Sequence, residues 1–137
     1  MKTNQKATVT RYRAEGRAGA ASGPCATIRT LLYEYRRYEA MPGRMPDLQH
    51  RFENHTMRIW ARHGIEPVGF WLAEVGTGNV LHYILRWADM ADRDKRWKAF
   101  QADAEWIKTR AATEADGPLL AKVVNEFWRP TSYSPLQ

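Results

Sequence analysis

The chain has 137 residues, 44% of them hydrophobic and 26% charged, enough for one domain with a core of useful size. No apolar run approaches the roughly 20 residues that a membrane helix needs, and a lone cysteine, Cys25, excludes an intramolecular disulfide framework and any Cys-rich metal site. The net charge of +6 is concentrated in residues 1–29, where Lys2, Lys6, Arg11, Arg13, Arg17 and Arg29 face only Glu15; the other 108 residues carry 15 basic and 14 acidic side chains, so the body of the chain lacks the basic footprint of a specific nucleic-acid binder.

Residues 1–28, rich in Ala, Gly, Ser and Thr without a periodic apolar face, are expected to form a disordered tail, with a folded domain over 29–137. The tail reads as an inert extension, a transit-peptide-like leader or a weak polyanion-binding arm. The expected compartment is the cytoplasm, or the mitochondrial matrix if the tail is a leader. Thr30–Glu39, dense in Tyr and Leu and free of Gly and Pro, predicts a first strand that Met41-Pro42-Gly43 ends. From Met45 to His63 the apolar residues Met45, Leu48, Phe52, Ile59 and Trp60 recur at helical steps, and Gly64 supplies the left-handed closing residue. Ile65–Val75 and Val80–Trp87 predict two strands of a hairpin joined by Gly76-Thr77-Gly78-Asn79. Asp89 is placed to cap a helix reaching Gln101, and Asp103 to cap a short helix around Trp106. On the former, Arg93, Lys95, Arg96 and Lys98 alternate with Asp92 and Asp94, the pattern of a solvated face. A last strand covers Leu119–Trp128.

Strand, helix, strand, strand, helix, strand is the ferredoxin-like α+β order. Two helices cover one face of a four-stranded antiparallel sheet, and the bare aromatic face then calls for a second copy as its cover. Three sequence blocks sharpen this reading: Tyr33-Glu34-Tyr35-Arg36-Arg37-Tyr38 followed by Pro42-Gly43, Gly64-Ile65-Glu66-Pro67-Val68-Gly69-Phe70-Trp71, and Arg129-Pro130-Thr131-Ser132-Tyr133-Ser134-Pro135-Leu136. In order and spacing they resemble the NIPSNAP family over roughly residues 30–137. The resemblance implies the dimeric α+β barrel group, hence a homodimer. That wider group includes cofactor-independent monooxygenases, isomerases and lyases acting on aromatic or lactone substrates.

Candidate site residues are polar groups in otherwise apolar layers. On the first strand Leu32, Glu34, Arg36 and Tyr38 share one face, where Glu34 and Arg36 read either as a buried ion pair or as an anchor for a ligand. On the third strand Val80, His82, Ile84 and Arg86 share a face. If register allows, His82 and Arg86 join Glu34 and Arg36 in one cluster, with a histidine suited to proton transfer. His55 falls inside the helical stripe Leu48, Phe52, Ile59, and Trp71 is a candidate wall beside it. No His or Cys spacing fits a metal site, and no phosphate loop or nucleophile elbow is present, so neither a metal nor a cofactor is expected. Six Trp and six Tyr fit a core, a dimer interface or an aromatic pocket. The expected function is binding of a small apolar or aromatic molecule, or of a protein partner, by a homodimer. The alternative is a cofactor-independent enzyme acting on a small aromatic or lactone substrate.

Overall fold

A computed structural model describes residues 31–137; the readings made for residues 1–28 lie outside it. Strands β1 (Leu32–Ala40), β2 (Glu66–Leu72), β3 (Val80–Trp87) and β4 (Leu120–Trp128) form one antiparallel sheet in the order β2-β3-β1-β4. The first crossover holds helix α1 (Met45–Arg51), a wide turn of π-helix over Phe52–Thr56, and helix α2 (Met57–Arg62); the second holds α3 (Met90–Gln101) and α4 (Ala104–Thr113). This is the expected ferredoxin-like α+β arrangement, with β1 and β3 at the centre.

The caps follow from side-chain chemistry. Asp89 accepts from the backbone N–H of Asp92 at 2.8 Å, and Asp103 accepts from those of Glu105 at 2.9 Å and Trp106 at 3.2 Å, so each satisfies donors that a helix start leaves open. Gly64, at φ +67°, ends α2 in the left-handed region, and its carbonyl accepts from Arg96 of α3. The core lies between helices and sheet. Leu48, Ile59 and Trp60 from the first crossover and Phe100 from the second meet Tyr83, Leu85 and Trp87 of β3, all at most 1% exposed.

One irregularity redirects the first helix. Thr56 donates its hydroxyl to the carbonyl of Arg51 at 3.2 Å, five residues back, which supports the wide turn. The extra residue in that turn shifts the helical phase. Thr56, not His55, takes the buried position between Phe52 and Ile59, and Arg51 is buried beside Phe52.

The second face of the sheet carries Tyr35 stacked on Trp128, with centroids 4.8 Å apart, and on His82 at 6.0 Å. Trp71, opposite His82 in the register, is half exposed. The C-terminal segment returns over one end of this face, where the Tyr33 hydroxyl donates to the Gln137 carbonyl at 3.2 Å and Pro130 and Leu136 border a groove with Val68 and Ile84.

Candidate functional site

The pairing of β1 with β3 sorts the candidate residues. Glu34 lies opposite Leu85, Arg36 opposite Tyr83 and Tyr38 opposite Leu81, whereas Arg37 lies opposite His82 and Tyr33 opposite Arg86. Glu34, Arg36 and Tyr38 therefore face the helices, and His82 and Arg86 face away from them. The cluster expected from the separate strand patterns does not form, because alternation fixes the faces of one strand and only register relates them to the next. His82 bonds instead to the Tyr35 hydroxyl at 2.7 Å, and the exposed Arg86 pairs with Glu66. Trp71 shares that outer face. His55 is half-buried and packs edge-on against His50, with ring centroids 6.2 Å apart; the phase shift at the wide turn keeps it out of the cavity described below.

Glu34 is fully buried and its carboxylate accepts five hydrogen bonds. The donors are Arg36 at 2.6 Å, Arg93 through Nε at 3.3 Å and Nη2 at 3.1 Å, Trp87 Nε1 at 3.1 Å and Asn125 Nδ2 at 3.2 Å. Burial alone would raise its pKa, but Arg93 and Arg36 hold it below the ordinary carboxylate value,. A carboxylate so occupied stays ionised and has no free lone pair for a proton. Arg36 also donates to the Tyr38 hydroxyl at 3.0 Å and lies over the Trp97 ring, 4.4 Å from its centroid,. Burial would lower the Arg36 pKa, yet the oxygens of Tyr83, Tyr38 and Glu34 leave it raised. The Tyr83 hydroxyl, wholly buried, is pushed well above its usual value chiefly by desolvation.

Of these groups Arg36 and Tyr38 reach one wall of a cavity of about 330 Å³ between the helices and the sheet, with Glu34 and Tyr83 behind them. Phe52, Trp60, Trp97, Phe100 and Trp106 supply rings, Val123 stands on the β4 side, and Arg51, Arg110 and Glu114 line it as well. Arg51 bonds Glu114 at 2.8 Å and lies over the Trp106 ring at 5.4 Å. Arg36 Nε, Arg51 Nε and Trp60 Nε1 are buried donors with no partner among the described residues. Unmet donors beside a cavity are where a ligand's acceptor atoms gain most, since each otherwise carries an uncompensated desolvation cost.

Sequence reasoning missed Arg51, Arg93, Trp97 and Glu114. Arg51 had a signal: it stands three residues after Leu48 and next to Phe52, inside the apolar arc. Arg93 was assigned to a solvated face, but it lies one helical turn before Trp97 and turns inward to Glu34. Its guanidinium is 5.2 Å from the Trp97 ring centroid.

Fold and cavity together define a ferredoxin-like α+β domain with an aromatic, arginine-lined space between its two layers, partly open to solvent. The chain belongs to the NIPSNAP family, whose model matches residues 33–135. It is 28% identical over 108 residues to protein NipSnap homolog 1 of Danio rerio, covering 77% of this chain and 36% of that protein, so the chain spans about a third of that relative's length. A NIPSNAP family protein of unknown function from Agrobacterium tumefaciens superposes with a TM-score of 0.71 at 26% identity, over 80% of this chain and 96% of its own. A putative antibiotic biosynthesis monooxygenase from Caulobacter crescentus shares the fold, with a TM-score of 0.52 at 13% identity over 76% of this chain and 92% of its own.

Proposed function

We propose that this NIPSNAP domain is a homodimeric small-molecule carrier or sensor, which takes a flat aromatic ligand into the cavity between its helices and its sheet. The observation that carries this reading is the lining itself: six aromatic side chains around a space of about 330 Å³, a volume at the lower end of ligand pockets. Binding is favoured over catalysis by the state of the ionisable groups. Glu34 and Glu114 are both held by arginines, and His55 and His82 lie outside the lining, so among the described residues no free base stands beside the cavity. The second copy covers the outer sheet face, where Trp71, Val68 and Trp128 are each 41–49% exposed and an aromatic patch of that kind is stabilised by removal from water.

Calorimetric titration with 2-naphthamide and 2-naphthoate tests the cavity. Saturable binding of at least one probe, abolished or weakened by Trp97→Ala and by Val123→Trp at the exposed rim, is the expected result. Binding of neither probe, or binding indifferent to both variants, overturns the reading. Light scattering tests the assembly, with a mass twice the 15.9 kDa of one chain expected and a single-chain mass refuting the dimer.

A further inference from the structure

We infer that the cavity selects an anionic aromatic ligand, an aromatic carboxylate, whose carboxylate is received by Arg51 in competition with Glu114. The inference rests on the cavity being a ligand site and adds the charge and the docking residue.

The charge balance of the lining carries it. Arg36, Arg51 and Arg110 line the cavity against one lining carboxylate, Glu114. Glu34 stands behind Arg36 and is shared with Arg93, which also pairs with Asp94. Glu114 is likewise shared, between Arg51 at 2.8 Å and Arg110 at 3.4 Å. At the Glu114 end of the cavity, then, two guanidinium groups divide one carboxylate, and a guanidinium away from water gains strongly from an added anion.

Arg51 is the better receiver of the two buried arginines. Arg36 already uses Nη1 on Glu34 and Nη2 on Tyr38. Arg51 uses Nη1 on Glu114, with Thr113 Oγ1 at 3.5 Å as a marginal second acceptor; among the described residues its Nη2 makes no hydrogen bond, whereas Arg36 has only its buried Nε without a partner. Its side chain is only 5% exposed, so the guanidinium is fixed, while Glu114 at 23% has a route to water. A ligand carboxylate can therefore approach the open edge of Arg51 as Glu114 swings toward Arg110 and solvent. The ligand's ring then lies among Trp106, Phe100 and Trp97, and Arg51 lies over the Trp106 ring and Arg36 over that of Trp97.

The test compares 2-naphthoate with its neutral isostere 2-naphthamide on the full chain. Naphthoate should bind at least about tenfold more tightly, the scale of one charge-assisted hydrogen bond gained in a desolvated site. Glu114→Gln, which removes the competing charge from a partly exposed position, should tighten naphthoate severalfold relative to naphthamide. Arg51→Met should erase the preference for naphthoate. Equal affinity of the two probes for the wild type overturns the charge assignment while leaving the cavity as a site. A naphthoate preference that survives Arg51→Met, or that Glu114→Gln fails to raise, overturns Arg51 as the receiver. If neither probe binds, the cavity itself is refuted and this inference with it.

Discussion

Removing Glu34 should unbalance the whole interior. Its carboxylate is fully buried and takes five hydrogen bonds, so Glu34→Ala strands two arginines and the indole N–H of Trp87 at once. Arg93, 17% exposed and already in contact with Asp94, can turn to solvent at small cost. Arg36, 9% exposed, cannot; it keeps Tyr38 and the face of Trp97 but loses its counter-ion. Breaking a buried pair from one side costs about 3–5 kcal/mol, and at about 1.5–2 kcal/mol per molar urea this lowers the denaturation midpoint by roughly 2 M. Arg36→Met should be milder, because Glu34 retains Arg93, Trp87 and Asn125. The double variant Glu34→Met/Arg36→Met removes both charges and leaves chiefly the Trp87 N–H without an acceptor, a loss of about 1–3 kcal/mol. The expected order of damage is Glu34→Ala first, with the double variant well below the sum of the singles. Urea titration monitored by tryptophan fluorescence measures it. Single-variant losses under about 1 kcal/mol, or strict additivity, would show that the charges are solvated and uncoupled, against the premise that breaking a buried pair is costly.

Three further outcomes follow from the same geometry. Because Glu34 is held below its ordinary value of 4.5, the folded state binds fewer protons there than the unfolded chain. Its contribution is complete above 4.5 and is lost as pH falls through the lower folded value,, so the melting temperature should drop more steeply below pH 4.5 in wild type than in Glu34→Gln, and parallel curves would contradict the assignment. Thr56→Val, isosteric but without the hydroxyl that bonds the Arg51 carbonyl, should cost about 1 kcal/mol in urea denaturation; an unchanged midpoint would mean that the wide turn is held by packing alone. His82→Ala removes a ring from the outer face, where it bonds Tyr35, and should leave naphthoate and naphthamide affinities within experimental error of wild type. Weakened binding would move the site to the other side of the sheet.

The element order was readable because it rests on local signals. The Tyr and Leu run of β1, the helical steps from Met45, the caps at Asp89 and Asp103, and Gly64 each act within a few residues, and the structure has all of them. The faces of β1 and β3 were also right strand by strand. Their relation was not, since β1 and β3 are joined through a helical crossover and a hairpin whose β2 strand carries a bulge between Pro67 and Gly69, and no local rule counts residues across such a path. A better reading was available in composition. The set Leu81, Tyr83, Leu85, Trp87 is wholly apolar or aromatic, so it belongs under the helices, and β1 must then present there the set bearing Leu32 and Tyr38. The shift at Phe52–Thr56 left no comparable trace, since Thr56 differs from its neighbours only in what its hydroxyl reaches.

A sheet one residue thick separates two surfaces of opposite character, and the separation explains why polar groups sit where they do. On the outer face the rings of Tyr35, Trp128 and His82 stack in a row, and the charged pair Arg86 and Glu66 stays at its exposed edge, an arrangement in which polar groups remain wet and rings gain from a cover. On the inner face the charges are buried. A chain that needed only stability would replace Glu34, Arg36 and Arg51 with aliphatic side chains, since buried ion pairs seldom outperform packed hydrophobic groups of equal volume. Retaining three such groups around an aromatic space, with donors left open on two of them, is costly to the fold and useful to a site that must receive an acceptor. The two faces are nevertheless joined through β1, where Tyr35 on the outer side stands between Glu34 and Arg36 on the inner side.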